Sequence, residues 1–190
     1  VRVSLRAAAV AAALAEGAAL VGLAVYLAAT GQTLRISVGP PAERAPGARL
    51  VIPVAGVRAA ELRDSYGAPR SGGRGHRGVD IFAAEGTPVL AAAPGVVVKL
   101  ATSELGGVSL YQRGEDARTV YFYAHLQRYR PGIKEGDLLR AGDVIAYVGQ
   151  TGNVPRGNPH LHFAVYTVTD PNRWWRGRDL NPFPLLVEPR

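Results

Sequence analysis

A mainly β, antiparallel domain behind one hydrophobic N-terminal helix is the fold class that the sequence predicts, on three observations. Gly 23 and Pro 14 in 190 residues punctuate the chain too often for long helices. From residue 49 onward, short β-branched and aromatic runs alternate with Gly, Pro and Asp, and no segment past residue 50 keeps a helical period for more than about 12 residues. Only 7–29 is continuously apolar, with Glu16 its single charge.

Arg2 and Arg6 precede that run, which is the pattern of an export segment. At 1.5 Å per helical residue, 7–29 is long enough for a hydrocarbon core of about 30 Å, so 1–31 is expected to be a signal anchor giving single-pass membrane attachment. Small residues at 28–31 equally suit a cleaved signal peptide. A Pro-rich linker is expected at 32–48 and one domain at 49–190, working outside the cytoplasm in the periplasm or cell-wall space. Within that domain strands are expected at 79–82, 88–91, 95–101, 108–112, 119–125, 144–149 and 160–168. Helical turns are expected at 59–65 and 138–141.

The chain carries a formal charge of +7, nearly all of it beyond residue 31 and mostly Arg. The arginines are scattered, without a basic run or an RNA-binding aromatic motif, so no nucleic-acid partner is expected, whereas an anionic wall polymer or membrane suits the charge. No feature calls for an obligate protein partner. Cys is absent, which excludes thiolate metal sites, cysteine nucleophiles and attachment of lipid through a cysteine.

Four histidines therefore carry most of the chemical options. His160 and His162 open the clearest strand, and a period of two puts both rings on one face, about 6.6 Å apart, with Leu161, Phe163 and Val165 turned to the core. His76 and Asp80 would lie about 13 Å apart along a straight strand, so the segment must bend at Gly75 or Gly78 if the two are to share an ion. Together with one of the paired histidines they would form two nitrogen ligands and one oxygen ligand, the donor set of an open, catalytic zinc site. His125, expected on the same face as Tyr121 and Tyr123, is a candidate acid or base beside that site.

Gly75-His76-Arg77-Gly78-Val79-Asp80, Tyr123-Ala124-His125-Leu126 and Pro159-His160-Leu161-His162-Phe163 strongly resemble the motifs of the LytM and lysostaphin type zinc endopeptidases, peptidase family M23. The fillers Gly86-Thr87-Pro88-Val89, Ala92-Ala93-Pro94-Gly95 and Gly149-Gln150-Thr151-Gly152-Asn153 match as well, and the resemblance covers a motif core of about 65–166. It implies a groove-bearing antiparallel β domain of the LytM, duplicated hybrid motif, type. It further implies one Zn2+ on His76, Asp80 and His162, with His125 and His160 as catalytic residues flanking the attacking water. The implied substrate is the peptide part of peptidoglycan, cleaved for wall remodelling or lysis. The same fold also serves as a non-catalytic wall-binding or amidase-regulating module, but such modules typically lack one or more of these five side chains.

Three other motifs weigh less. Residues 73–78 formally match G-x-G-x-x-G yet run into a strand-like segment rather than a helix, which disfavours a nucleotide site. H-E-x-x-H and G-x-S-x-G are absent from the sequence. Trp174-Trp175 reads as a partly packed aromatic cap before the C-terminal tail, or else as a substrate or membrane contact.

Overall fold

The β-branched runs pair into one nine-stranded antiparallel sheet. Its strands are β1 (Val79–Phe82), β2 (Pro88–Leu90), β3 (Gly95–Ser103), β4 (Gly107–Gly114), β5 (Thr119–Tyr129), β6 (Leu138–Leu139), β7 (Val144–Val148), β8 (His160–Val168) and β9 (Gly177–Leu180). The main order is β1-β8-β5-β4-β3-β6, with β9 also on β8, and β2 joined through β7 to β5. This computed structural model describes residues 50–187 except 71, 72 and 74. The expected anchor or signal at 1–31 and the linker at 32–48 lie outside the described residues. Among the described residues no helix is long and apolar enough to cross a membrane.

All seven expected strands are present, and two expected helical turns are corrected. Residues 138–139 form β6 because Leu138 and Leu139 find backbone partners in Val96 and Gly95 of β3. The turn expected at 59–65 shrinks to a 3-10 turn, Ala59–Glu61, which Glu61 closes by accepting from the Arg58 backbone N–H at 2.8 Å. Two elements had no usable signal. Gly-Arg-Asp-Leu of β9 has no alternation to read, and α1 (Pro182–Val187) holds two prolines. Both prolines sit in the first turn, where a backbone N–H has no helical partner to lose, and Asn181 Oδ1 accepts from Phe183 N–H at 2.9 Å.

The core lies under the face of β8 that carries Leu161, Phe163 and Val165, all fully buried, as their alternation requires. Tyr123 crosses that core from β5. Its hydroxyl donates to Gln112 Oε1 at 2.7 Å and accepts from Ala92 N–H at 2.9 Å. Tyr123→Phe strands both partners in a dry interior, where each orphaned group costs about 1–3 kcal/mol, so a loss of about 2–4 kcal/mol is expected in urea unfolding, with an unchanged m-value.

One irregularity positions the site. β5 pairs with β8 from Thr119 to Ala124, then with β7 from Leu126 to Tyr129. Opposite β4 the register slips between the pairs Leu110 to Tyr123 and Val108 to Leu126, which leaves one extra residue on β5. His125 sits at that bulge with a left-handed φ of 62°.

Candidate active site

Register builds the site. In the antiparallel pairing of β1 with β8, Asp80 stands opposite His162 and Phe82 opposite His160. Residues directly opposite share a face, so the carboxylate and both imidazoles emerge on the side away from Leu161 and Phe163. The chain bends just ahead of β1 and returns His76 to the same point. Gly78 permits this by close approach: a Cβ there would lie 2.5 Å from Phe163 O and 2.9 Å from His162 Cε1.

Three side chains converge. His76 Nε2 lies 2.8 Å from His162 Nδ1 and 3.1 Å from Asp80 Oδ1, and His162 Nδ1 lies 3.2 Å from the same oxygen. Tetrahedral ligands at zinc bond lengths of about 2.0–2.1 Å stand about 3.3 Å apart, so these three atoms outline one face of such a site. Their chemistry agrees. His76 Nδ1 is 2.7 Å from the Ser65 carbonyl oxygen, which can only accept, so the proton resides there and Nε2 offers its lone pair to the site. That lone pair faces a carboxylate oxygen across 3.1 Å with both side chains nearly out of water, an arrangement that needs a cation or a proton between them.

Asp80 is held from several sides. Its backbone N–H donates to Ser65 Oγ at 3.0 Å, and Arg70 forms an ion pair with Oδ2, the oxygen turned away from the histidines. Burial alone would raise its pKa, but His162, His76 and Arg70 outweigh it and hold the carboxyl well below the usual range. Burial lowers the pKa of His162. Both groups are thus in the forms that ligate: anionic carboxylate, neutral imidazole.

His125 and His160 stand next to this cradle. Their rings are 5.0 Å apart edge to face, and His125 is 5.9 Å from His162. His160 Nδ1 donates to Asn158 O at 2.9 Å and its Nε2 lies 3.8 Å from Asp80 Oδ1. His125 Nδ1 donates to Thr151 O at 2.9 Å, which again leaves Nε2 as the acceptor. Burial first, then the neighbouring histidines, push the His125 pKa down to about 4, so its ring is neutral in neutral solution.

The five residues singled out in the sequence therefore come together. The face expected for His125 is corrected: simple alternation puts it beside Tyr121 and Tyr123 in the core, and the bulge with its left-handed φ turns it to the site instead. Tyr123, whose hydroxyl is committed to Gln112 and Ala92, plays no part there. Sequence reasoning missed Ser65, Arg70 and Thr151, because a loop residue that meets a ligand through one long-range contact carries no local pattern. Thr151 is a clamp as well as the carbonyl that accepts from His125: its hydroxyl donates to Leu126 O at 2.8 Å and accepts from Val108 N–H at 2.9 Å.

Three ligand-type atoms within one coordination sphere, beside two imidazoles with acceptor nitrogens in reserve, define a metallohydrolase-like centre on an antiparallel sheet. Residues 74–182 match the model of peptidase family M23, and the chain belongs to that metallopeptidase family. It is 34% identical over 131 residues to the L-Ala–D-Glu endopeptidase of Bacillus subtilis, a match covering 65% of this chain and 39% of that protein. It is 33% identical over 117 residues to the glycyl-glycine endopeptidase ALE-1 of Staphylococcus capitis, covering 60% of this chain and 30% of that one. Among solved structures, the catalytic domain of the antimicrobial peptidase lysostaphin from Staphylococcus simulans superposes with a TM-score of 0.56 at 31% identity, covering 68% of this chain and 96% of that one. The chain thus spans nearly all of a solved catalytic domain but well under half the length of these two relatives.

Proposed function

We propose that this chain is a zinc-dependent endopeptidase that hydrolyses peptide bonds in peptidoglycan cross-links, with His76, Asp80 and His162 holding Zn2+ and His125 and His160 moving protons. The observation that carries this reading is the meeting of His76 Nε2, Asp80 Oδ1 and His162 Nδ1 at mutual distances of 2.8–3.2 Å beside two further acceptor imidazoles. Zn2+ in that cradle would supply Lewis-acid polarisation of the scissile carbonyl and acidify a water, which removes the need for a serine or cysteine nucleophile. His125 Nε2, neutral and aimed at the cradle by the Thr151 carbonyl, takes the proton of the attacking water. The proton that His125 Nε2 accepts is then returned to the leaving amine, by way of His160 Nε2, which Asn158 O fixes on the same side as an acceptor. The pairing of Arg70 with Asp80 Oδ2 leaves Oδ1 as the ligating oxygen.

The domain is read as residues 49–190, following a linker at 32–48. The Arg2 and Arg6 flank and the apolar run 7–29 support export, by an anchor or a cleaved signal, to where peptidoglycan lies.

Incubating the full chain with murein sacculi tests the function. Soluble peptide fragments, identified by mass, are expected with metal present and not with chelator. Release that chelator leaves untouched overturns the metal mechanism, and no release despite bound zinc favours the regulatory module. Arg70→Ala is expected to weaken zinc affinity about 10–100-fold in chelator competition, as loss of a partner that orients a ligand does, with Arg70→Lys recovering part of it.

A further inference from the structure

Beyond His162 the open face of the sheet continues along β8 as a groove of about 280 Å3. That is slightly below the range of drug-sized sites, about 300–1,000 Å3, and gives room for one or two residues of a peptide. Its wall is aromatic and continuous with the cradle: Phe122 lies 6.0 Å from His162, Tyr111 4.4 Å from Phe122, and Trp174 4.9 Å from Tyr111. Trp175, 59% exposed, completes that lining. So Trp175 is more than part of a cap, since it lines a groove that starts at His162.

The lining also contains a pair of opposite charges, Arg77 and Asp179, with Nε and Oδ2 3.4 Å apart. The Arg77 side chain is 78% exposed and that of Asp179 29%. An exposed pair at this distance ties a fold together only weakly, so both charges can exchange their partner for a ligand's. Asp179 stands opposite Tyr166 in the pairing of β8 with β9, four residues beyond His162 on β8, about 13 Å along the strand. A side chain read here therefore belongs to a residue a short way along the peptide from the bond being cut.

We propose that this groove reads a side chain that ends in both a carboxylate and an ammonium, as the unlinked end of a diamino diacid in a peptidoglycan stem does. The carboxylate pairs with Arg77 and the ammonium with Asp179, while the methylene stem lies against Tyr111 and Trp175. A lysine in the same place offers only the ammonium, and a glycine bridge offers neither charge. This selectivity deepens the endopeptidase reading and rests on it for the nature of the polymer, but it is a property of binding and can be measured apart from cleavage.

The test is titration of the full, zinc-loaded chain with two free stem tripeptides, L-Ala–D-Glu followed by either the diamino diacid or lysine, read by calorimetry. The diamino diacid stem is expected to bind about tenfold or more tightly, the increment of one charge-assisted contact. Arg77→Gln should remove most of that preference with zinc content unchanged, whereas Asp179→Asn and Trp175→Ala should weaken both stems alike. Equal affinity for the two stems, a preference that survives Arg77→Gln, or undiminished binding of both stems to Asp179→Asn overturns the proposal. Stems that bind selectively to a protein that never cuts sacculi would uphold this inference and overturn the endopeptidase reading alone.

Discussion

Asp80→Ala is expected to yield a folded protein that no longer holds zinc and releases no peptide from sacculi. The substitution leaves β1 in place, because its pairing with β8 is made by backbone groups and its apolar side, Val79 and Ile81, is untouched. What disappears is the only anion among the three ligand-type groups and the partner of Arg70. Loss of a partner that merely orients a ligand costs about 10–100-fold in affinity, so removal of the ligand itself should cost more. His162→Ala should do the same, whereas Asp80→Asn keeps the shape without the charge and separates packing from ligation. Metal content by elemental analysis, with circular dichroism as the control for folding, decides the matter. Stoichiometric zinc in Asp80→Ala would remove Asp80 from the ligand set.

The second large effect is expected at His125, and its signature is the opposite one. His125→Ala should retain zinc and substrate binding but lose about 100- to 10,000-fold in kcat, the usual contribution of a positioned acid or base. His125 donates to Thr151 O and not to the three converging atoms, so the cradle does not need it. Single-turnover cleavage measured beside zinc content separates the roles. Zinc lost in parallel with activity would make His125 part of the metal shell, and activity retained with zinc would pass the proton to His160 alone.

The sheet was legible wherever strands were long enough to alternate. Polar and apolar residues alternate over the first four positions of β8, His160 to Phe163, and the separation of its two histidines from Leu161, Phe163 and Val165 follows from the period of two. The bend between His76 and Asp80 was legible as a necessity, because an extended segment could not bring the two together. What supports the site was not legible. Arg70 and Thr151 meet it through contacts that arise only once the chain has closed, with nothing local to mark them. β9 was hidden because a short edge strand of Gly, Arg, Asp and Leu has no buried face to announce it. The orientation of His125 was misread for a specific reason: alternation holds only while the register does, and the extra residue on β5 falls at that position.

That backbone places stability and activity in opposition at one residue. A left-handed φ suits glycine, and a side chain there carries a strain of about 1–3 kcal/mol. Selection for thermal tolerance alone would therefore favour His125→Gly, a variant expected to melt no lower than the parent and to have lost its proton acceptor. Any engineering of this scaffold toward heat resistance must screen for cleavage at the same time, because at position 125 the more durable protein is the idle one.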